Sequence, residues 1–139
     1  MLRVSARAVI FKDDEVLLLY RKRKTDDGYK EYYAIPGGGI ETYESVIDCV
    51  KRELREECCV DIEVIDYLGK VEEATKQHLI YYAKIKSGTP TLGGEEKKHN
   101  SEDNYYEIRY IKVDDLEKYP ILDKNKKLIE KAYKMKEKE

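Results

Sequence analysis

Apolar and polar positions alternate along the start of the chain, which predicts a strand over residues 2–11. The apolar positions of this pattern are Leu2, Val4, Ala6, Ala8 and Ile10. A more continuously apolar strand is predicted over 16–21, and we expect the two strands to form a hairpin. Residues 22–31 are polar and contain Asp26-Asp27-Gly28, so they are interpreted as a loop.

A three- and four-residue apolar spacing then predicts a helix over 43–58. Its apolar face is expected to contain Ile47, Val50, Leu54 and Cys58. Thr42 is the expected N-cap, and Glu44 is placed in the first turn, where the helix dipole favours an anion. Just before this helix, a short strand over 32–35 is expected to stop at a Pro-Gly-Gly-Gly turn.

The rest of the chain mixes strands and helices without a strict alternation. Strands are predicted at about 60–68, 78–86 and 105–113, and a polar loop is predicted over 87–104. A short helix is expected to start near Asp114 and to end before Pro120, and a C-terminal helix is expected over about 124–134. This mixture favours an α/β or α+β layered domain.

Length and composition narrow the class of protein. The chain has 139 residues, which is the size of a single domain spanning 1–139. Charged residues make up 40% of it, but 27 Lys and Arg are balanced by 29 Asp and Glu. The net charge of −2 argues against a protein that binds long nucleic acids through a broad basic surface.

Cysteine usage and hydropathy indicate where the protein works. The three cysteines form no disulfide framework and have no zinc-binding spacing, because two of them are adjacent. No apolar run approaches the ~18 residues that a membrane helix needs. The N-terminus has the pattern of a strand and lacks the long apolar stretch of a secretory signal. We therefore expect a soluble cytoplasmic protein that does not bind a membrane.

Three glutamates near the end of the predicted helix carry the chemical signal. Glu53, Glu56 and Glu57 fall within an arc of about 100°, because successive helical residues are turned by about 100°. Like charges this close repel, and the C-terminal end of a helix dipole adds to the cost. A hard divalent ion would relieve both effects, and carboxylate oxygens suit Mg²⁺ or Mn²⁺. Arg52 lies one turn before Glu56 and is placed to hold its carboxylate.

The spacing of these residues to the glycine run is highly specific. The positions that fit Gly-x5-Glu-x7-Arg-Glu-apolar-x-Glu-Glu-x-Gly-apolar are Gly38, Glu44, Arg52, Glu53, Leu54, Glu56, Glu57 and Val60. This is the Nudix box, over residues 38–60, and the chain therefore resembles the small MutT-like members of the Nudix hydrolase family. The resemblance implies a sandwich in which a mixed sheet is covered by helices.

The same resemblance implies an activity and a set of roles. The family hydrolyses a nucleoside diphosphate linked to another moiety, through attack of water on phosphorus. Glu53, Glu56 and Glu57 would hold Mg²⁺ (or Mn²⁺), and the glycine turn at Gly38 would bring backbone close to the metal. Either Glu53 or Glu56 would accept the proton of the attacking water. The substrate is left open among nucleoside triphosphates, ADP-ribose, other nucleotide sugars, dinucleotides and capped RNA ends.

One position departs from the family pattern, because Cys59 stands where the family has glycine. Glycine at that place allows the left-handed turn that ends a helix. A residue with a Cβ costs roughly 1–2 kcal/mol in that conformation. We therefore predict that Cys59 either is strained or ends the helix through another geometry.

Residues outside the box complete the candidate site. Arg21 and Arg7 are candidates for contacts with substrate phosphates, and Tyr33 is a candidate for contact with the rest of the substrate. Glu96, in the polar loop, is a candidate for an extra metal ligand or base. Each candidate also has a purely structural interpretation. Arg21 would belong to a solvated charged loop, Tyr33 would be a tyrosine of the sheet, and Glu96 would belong to an acidic loop without a ligand.

Two other functions compete with hydrolysis. A Nudix-fold module could bind a nucleotide and regulate without turnover, although such relatives usually lack carboxylates of the box and this chain has them all. A purely structural domain would leave its acidic helix solvated. Partners are therefore expected to be small nucleotides, and since relatives are often dimers, a homodimer is also allowed.

Overall fold

The computed structural model describes residues 2–94, 97 and 100–139. These described residues contain eight strands, two α-helices and one short 3-10 helix. The strands are β1 (Arg3–Val9), β2 (Phe11–Lys12), β3 (Glu15–Thr25), β4 (Gly28–Ala34), β5 (Gly37–Gly39), β6 (Asp61–Glu73), β7 (Lys76–Ser87) and β8 (Asn104–Lys112). The helices are α1 (Val46–Cys58), the 3-10 helix (Val113–Lys118) and α2 (Asp123–Glu137).

The strands form two sheets. The first has the order β5-β1-β7-β6, with β1 and β7 parallel and the other neighbours antiparallel. In the second, β3 pairs with β2 and β4 and also with β8, all antiparallel. The first sheet therefore contains both parallel and antiparallel neighbours, which agrees with the predicted mixed sheet.

A helix packs on each side of this pair of sheets. Ala6 and Ala8 of β1 lie in one apolar cluster with Val50 and Leu54 of α1, and their small side chains let the helix approach the strand closely. A second cluster joins the sheets to Ile129 and Ala132 of α2, among others. The predicted layered architecture of sheet covered by helices is thus confirmed. Among the described residues no helix is both long enough and apolar enough to cross a membrane.

The predicted hairpin between residues 2–11 and 16–21 is wrong. Strand β1 lies between β5 and β7 in the first sheet, and the short β2 takes its place in the hairpin with β3. The physical reason is that β1 is buried on both faces, with Ala8 in one core and Val9 in the other. A strand so placed takes neighbours on both edges, and sequence alternation alone does not identify them.

The predicted loop over residues 22–31 is also wrong. Strand β3 continues to Thr25 and β4 begins at Gly28, so the two strands leave only Asp26 and Asp27 as a turn. This hairpin projects beyond the core, which explains its polar sequence. Cross-strand contacts stabilise it instead of burial, for example the Lys22 ammonium 4.6 Å from the ring centre of Tyr29.

Helix α1 begins three residues later than predicted. Ser45 is the N-cap in place of Thr42, and its Oγ accepts a hydrogen bond from the Asp48 N–H at 3.1 Å. The buried face contains Cys49 in addition to Val50, Leu54 and Cys58, whereas Ile47 is exposed. The predicted apolar face is therefore confirmed at Val50, Leu54 and Cys58 and wrong at Ile47.

Elsewhere the predicted elements are present, with bounds that are longer or shifted by a residue. The strands predicted at 60–68, 78–86 and 105–113 correspond to β6, β7 and β8, and the predicted C-terminal helix corresponds to α2. The short helix before Pro120 is the 3-10 helix. The glycine turn after Pro36 is instead strand β5, which pairs with β1.

Candidate active site

Helix α1 lies against β5, and two glycines of that strand set the contact. A Cβ on Gly38 would lie 2.4 Å from Oε2 of Glu53, so only glycine leaves room for that carboxylate. The N–H of Gly37 donates a hydrogen bond to Oε1 of Glu57 at 3.0 Å, and Glu57 is 6% exposed. Strand β5 therefore positions two of the three predicted metal ligands.

Arg52 is the hydrogen-bonding centre of the acidic cluster. Its Nε and Nη2 donate to the two carboxylate oxygens of Glu44 at 2.6 and 2.9 Å. Its Nη1 donates to Glu53 at 2.9 Å and to Glu56 at 3.1 Å, and Nη2 also donates to the Gly39 carbonyl at 3.0 Å. The predicted contact between Arg52 and Glu56 is thus confirmed, and the same guanidinium also fixes Glu44 and Glu53.

The pairing with Arg52 changes the acidity of Glu44. Hydrogen bonds from the guanidinium hold the pKa of Glu44 at about 2, below its usual 4.5. The same contacts raise the pKa of Arg52. Glu44 is therefore ionised throughout the neutral range and serves as the anchor that orients Arg52 towards Glu53 and Glu56.

The three acids differ in exposure. Glu57 is buried beneath β5, Glu53 lies at the edge of that strand, and the Glu56 side chain is 57% exposed. With Glu53 and Glu56 bonded to Arg52, the described part of the chain contains no ready-formed group of three or more His, Cys, Asp or Glu metal ligands. The oxygen donors themselves suit a hard divalent ion. A cation binding here competes with Arg52 for Glu53 and Glu56.

The end of α1 is closed by the following loop. Cys59 has φ 59° and ψ 35°, so the first of the two geometries predicted for it is confirmed: a non-glycine residue in the left-handed conformation. The N–H groups of Thr91 and Gly93 donate to the carbonyls of Cys58 and Glu57 at 2.9 and 3.0 Å. These bonds satisfy carbonyls that a helix end leaves unpaired and tie the loop to the acidic turn.

A cavity of about 710 Å³ lies beside Gly37 and Glu57. It contains five cationic side chains, which are Arg7, Arg21, Arg23, Lys30 and Lys76. Two carboxylates, Glu57 and Glu73, oppose them, so the cavity is electropositive overall and suits an anionic ligand. Tyr32 and Tyr106 also line it and provide aromatic faces.

Arg21, one of the two arginines predicted to contact substrate phosphates, lines this cavity from β3. Its Nη1 donates to the Tyr32 hydroxyl at 3.0 Å and its Nη2 to Asn104 Oδ1 at 3.2 Å, and the guanidinium lies 4.9 Å from the ring centre of Tyr106. Its Nε is buried without a hydrogen-bond partner among the described residues. Alternation along the strand brings Arg23 to the same cavity.

The other predicted contacts are placed differently. Arg7 lines the cavity from β1. Tyr33 also borders it but is only 6% exposed, because its ring packs against Tyr20 and Tyr119 and its hydroxyl accepts a hydrogen bond from Arg109 at 2.8 Å. Tyr33 is mainly a core residue with one edge at the cavity. Glu96 lies outside the described residues.

Sequence reasoning missed several cavity residues. Asn125, in the first turn of α2, lines the cavity and is 9% exposed. His78, Lys76 and Tyr106 are brought there by the pairing of β7 with β1 and of β8 with β3. The sequence carries no signal of those pairings, so these residues had no local motif that could have identified them.

The amino-acid sequence was compared with protein families and with known proteins. The sequence matches the family model described as the NUDIX domain over residues 1–132. Over 94 residues it is 31% identical to the ADP-ribose pyrophosphatase of Methanocaldococcus jannaschii. That match covers 68% of this chain and 54% of the relative, so this chain spans about half the length of that protein.

Solved structures show the same fold. The MutT NUDIX hydrolase from Burkholderia pseudomallei superposes with a TM-score of 0.73 and 26% identity, covering 94% of this chain and 97% of that one. An ADP-ribose pyrophosphatase from Streptococcus suis superposes with a TM-score of 0.66 and 20% identity, covering 96% and 92% of the two chains. Since the family model covers nearly the whole sequence, the chain belongs to the Nudix hydrolase family, as the box over residues 38–60 predicted.

Proposed function

We propose that this protein hydrolyses a phosphoanhydride bond of a nucleoside diphosphate linked to another moiety, with Mg²⁺ or Mn²⁺ as cofactor. The observation that carries the proposal is that Glu57 both accepts a hydrogen bond from Gly37 and lines the electropositive cavity. The acidic turn of α1 and the anion-binding cavity therefore meet at one residue. A pyrophosphate that binds in the cavity lies next to carboxylates suited to a divalent ion.

Glu53, Glu56 and Glu57, with the carbonyl of Gly38, are the groups that would hold the metal. Nudix enzymes generally use a divalent ion, which acts as a Lewis acid and lowers the pKa of bound water. Glu53 or Glu56 accepts the proton of the attacking water. Arg52 holds both side chains in place through Nη1. Water adds to one phosphorus while the bridging oxygen leaves with the other phosphate.

The cavity provides the rest of substrate recognition. All four of the residues given this role line the cavity. In this proposal Arg7 and Arg21 neutralise phosphate oxygens, and Tyr106 and Tyr33 contact the nucleoside. The side-chain amide of Asn125 offers an NH2 donor group and an acceptor oxygen for the edge of a base. The name of the Methanocaldococcus jannaschii relative makes ADP-ribose the first substrate to test.

The deciding experiment is a substrate panel assayed with Mg²⁺. It contains ADP-ribose, other nucleotide sugars, nucleoside triphosphates, dinucleotides and a capped RNA end. Products are separated as nucleoside monophosphate, phosphate or pyrophosphate. We expect turnover that EDTA abolishes and that Glu53→Gln or Glu56→Gln lowers by at least about hundredfold. Glu63→Gln, an exposed acid on β6, is the matched control and should retain activity.

The alternative function is nucleotide binding without turnover. It predicts that nucleotides raise the melting temperature while no product forms with any compound or metal. All the carboxylates of the Nudix box are present, which supports the enzyme over this alternative. A protein that neither binds nor cleaves any member of the panel would contradict both.

Location and assembly belong to the same proposal. We place the protein in the cytoplasm, which suits its three free cysteines, because that compartment keeps thiols reduced. A homodimer is the assembly that the family resemblance allows, and light scattering after size-exclusion chromatography tests it. Fractionation of the native cells tests the location.

A further inference from the structure

A largely buried polar cluster lies at one wall of the cavity, where β1 and β7 run side by side. Ser5 and His78 are register partners in this parallel pair, and they are 7% and 8% exposed. The Ser5 Oγ and the His78 Nδ1 are 2.5 Å apart. Buried polar side chains are normally hydrogen-bonded. The partners of Ser5 and His78 therefore indicate the role of the cluster.

The group that the cluster holds is Arg7. Its Nε lies 3.2 Å from the Ser5 Oγ and 3.3 Å from the His78 Nδ1, and its Nη1 donates to the Ile35 carbonyl at 2.8 Å. Alternation along β1 places Ser5 and Arg7 on the same face of the strand. Two of the three nitrogens of the guanidinium are therefore fixed by the protein.

The third nitrogen of Arg7 remains available to a ligand. Within the described ranges, Nη2 has no hydrogen-bond partner, and it is not among the side-chain atoms buried without one. Because Arg7 lines the cavity, this unpaired donor belongs to a side chain that a ligand in the cavity can contact. The backbone of Arg7 also pairs with Gly37, whose N–H holds Glu57. Arg7 is thus linked to the acidic turn of α1 through its strand partner Gly37.

The hydrogen bonds define the protonation state that the cluster needs. For Nδ1 of His78 to accept from β1, the ring proton must be on Nε2, which lies 3.3 Å from Oε1 of Glu73. The charged and titratable groups that face the ring are Arg7 on β1, Glu73 on β6 and Lys76 on β7 itself. Burial, Arg7 and Lys76 lower the pKa of His78, against the effect of Glu73. The neutral ring is therefore the state that accepts from Arg7.

We propose that Ser5 and His78 are positioning residues that fix Arg7 with one guanidinium nitrogen aimed at a phosphate oxygen of the anionic ligand. This inference rests on the proposed function, because the ligand is the pyrophosphate of its substrate. It assigns a role to the buried serine–histidine pair that neither the box nor the acidic turn requires. The pair acts on substrate binding and leaves the reacting groups untouched.

The test uses His78→Leu, which removes the acceptor, and His78→Asn, whose Oδ1 replaces Nδ1. We expect His78→Leu to raise KM about tenfold, because one hydrogen bond to a charged group is lost. Its kcat should stay within about twofold of that of the unmodified chain. His78→Asn should restore KM to near the value of the unmodified chain. Arg7→Ala should raise KM at least as much, and adding His78→Leu to it should have no further effect. Gln77→Leu, the neighbouring position on β7, is the control and should leave KM unchanged.

A second readout separates this inference from the proposed function. Calorimetry measures the Kd of ADP in EDTA, without metal or turnover, and circular dichroism verifies that each variant is folded. If the unmodified chain cleaves nothing but ADP binding weakens in His78→Leu and recovers in His78→Asn, the positioning role stands and the proposed function fails. If folded His78→Leu has the KM and Kd of the unmodified chain, or if His78→Asn is as weak as His78→Leu, the inference is overturned.

Discussion

Gly38 and Glu53 are matched across the contact between β5 and α1: the carboxylate occupies the space that a side chain on Gly38 would fill. A Cβ there would lie 2.4 Å from Oε2 and 2.5 Å from Cδ of Glu53. Gly38 has no positive φ, so its backbone conformation is open to any residue. The requirement for glycine comes from the carboxylate alone, and this links the glycine of the Nudix box to its first metal-ligand candidate.

The first prediction follows from this contact. Gly38→Ala should displace the Glu53 carboxylate and lower kcat/KM about hundredfold, the cost of misplacing a reacting group by about 1 Å. The melting temperature should change little, because the far end of a flexible side chain can move. Steady-state kinetics with Mg²⁺ and thermal melts measure the two effects.

Gly39→Ala is the matched control for that substitution. The next glycine of β5 also lacks a positive φ, and a Cβ on it would meet no atom within 4 Å. It should keep both activity and stability. Equal loss of activity in the two variants would show that general flexibility of β5 is needed, and would refute a specific contact between Gly38 and Glu53.

The second prediction concerns the acid stability that Glu44 supplies. Because the hydrogen bonds from Arg52 hold the pKa of Glu44 at about 2 in the folded chain, against 4.5 when unfolded, the unfolded chain binds the extra proton between these values. The stabilisation is complete above pH 4.5 and is lost as the pH falls towards 2. Melting temperatures of Glu44→Gln should therefore fall less steeply over this window than those of the unmodified chain.

Ser45→Ala provides the comparison for Glu44→Gln. It removes the neighbouring N-cap of α1, which costs about 1 kcal/mol, but it removes no titratable group. Its melting temperature should be lower than that of the unmodified chain by a similar amount at every pH. Parallel curves for Glu44→Gln and the unmodified chain would mean that the ion pair with Arg52 contributes nothing to acid stability.

The site was more predictable from the sequence than the sheets that support it. Helical geometry ties Arg52 to Glu56 over four residues, so their contact follows from spacing alone. Strand pairing is not local, and the hairpin predicted between residues 2–11 and 16–21 failed because β1 pairs with the distant β7. The residues that the same long-range pairing brings to the cavity, such as His78, were missed for the same reason.

The polar hairpin shows a second limit of sequence reasoning. Residues 22–31 lack an apolar face, so periodicity favoured a loop, yet β3 and β4 pair through this segment. Backbone hydrogen bonds and contacts such as Lys22 over Tyr29 replace burial there. Since Arg23 and Lys30 of this hairpin line the cavity, the least predictable part of the sheet contributes to the wall of the cavity.

The third prediction tests the strain at Cys59. With φ 59° and ψ 35°, this residue adopts a conformation that costs a residue with a Cβ roughly 1–2 kcal/mol, and glycine avoids that cost. Part of the gain is offset by the greater flexibility of unfolded glycine. Cys59→Gly should therefore raise the free energy of unfolding by about 1 kcal/mol, measured by urea denaturation.

Cys59→Ala separates strain from loss of the thiol. It keeps the Cβ and the left-handed conformation, so it should be no more stable than the unmodified chain. If Cys59→Gly is destabilised instead, contacts of the thiol with the segment around Gly93 outweigh the backbone strain. Kinetics of both variants should be unchanged, because neither removes a carboxylate.

The last prediction uses the unusual position of Arg21, whose Nε is buried without a hydrogen-bond partner among the described residues. An unpaired buried donor destabilises a protein by about 1–3 kcal/mol. Such local destabilisation is typical of functional sites. Arg21→Met keeps the aliphatic stem and removes the donor. We expect KM to rise about tenfold while the melting temperature stays the same or rises.

Opposite signs for binding and stability are what distinguish this role from a structural one. If Arg21 serves mainly to hold Tyr32 and Asn104 together, Arg21→Met should lower the melting temperature and affect KM only slightly. Lys22→Met, one position along β3 and on the opposite face, is the control for the loss of one positive charge. Lys22 does not line the cavity, so the KM of Lys22→Met should match that of the unmodified chain. A similar rise in KM in both variants would mean that Arg21 acts only through its positive charge.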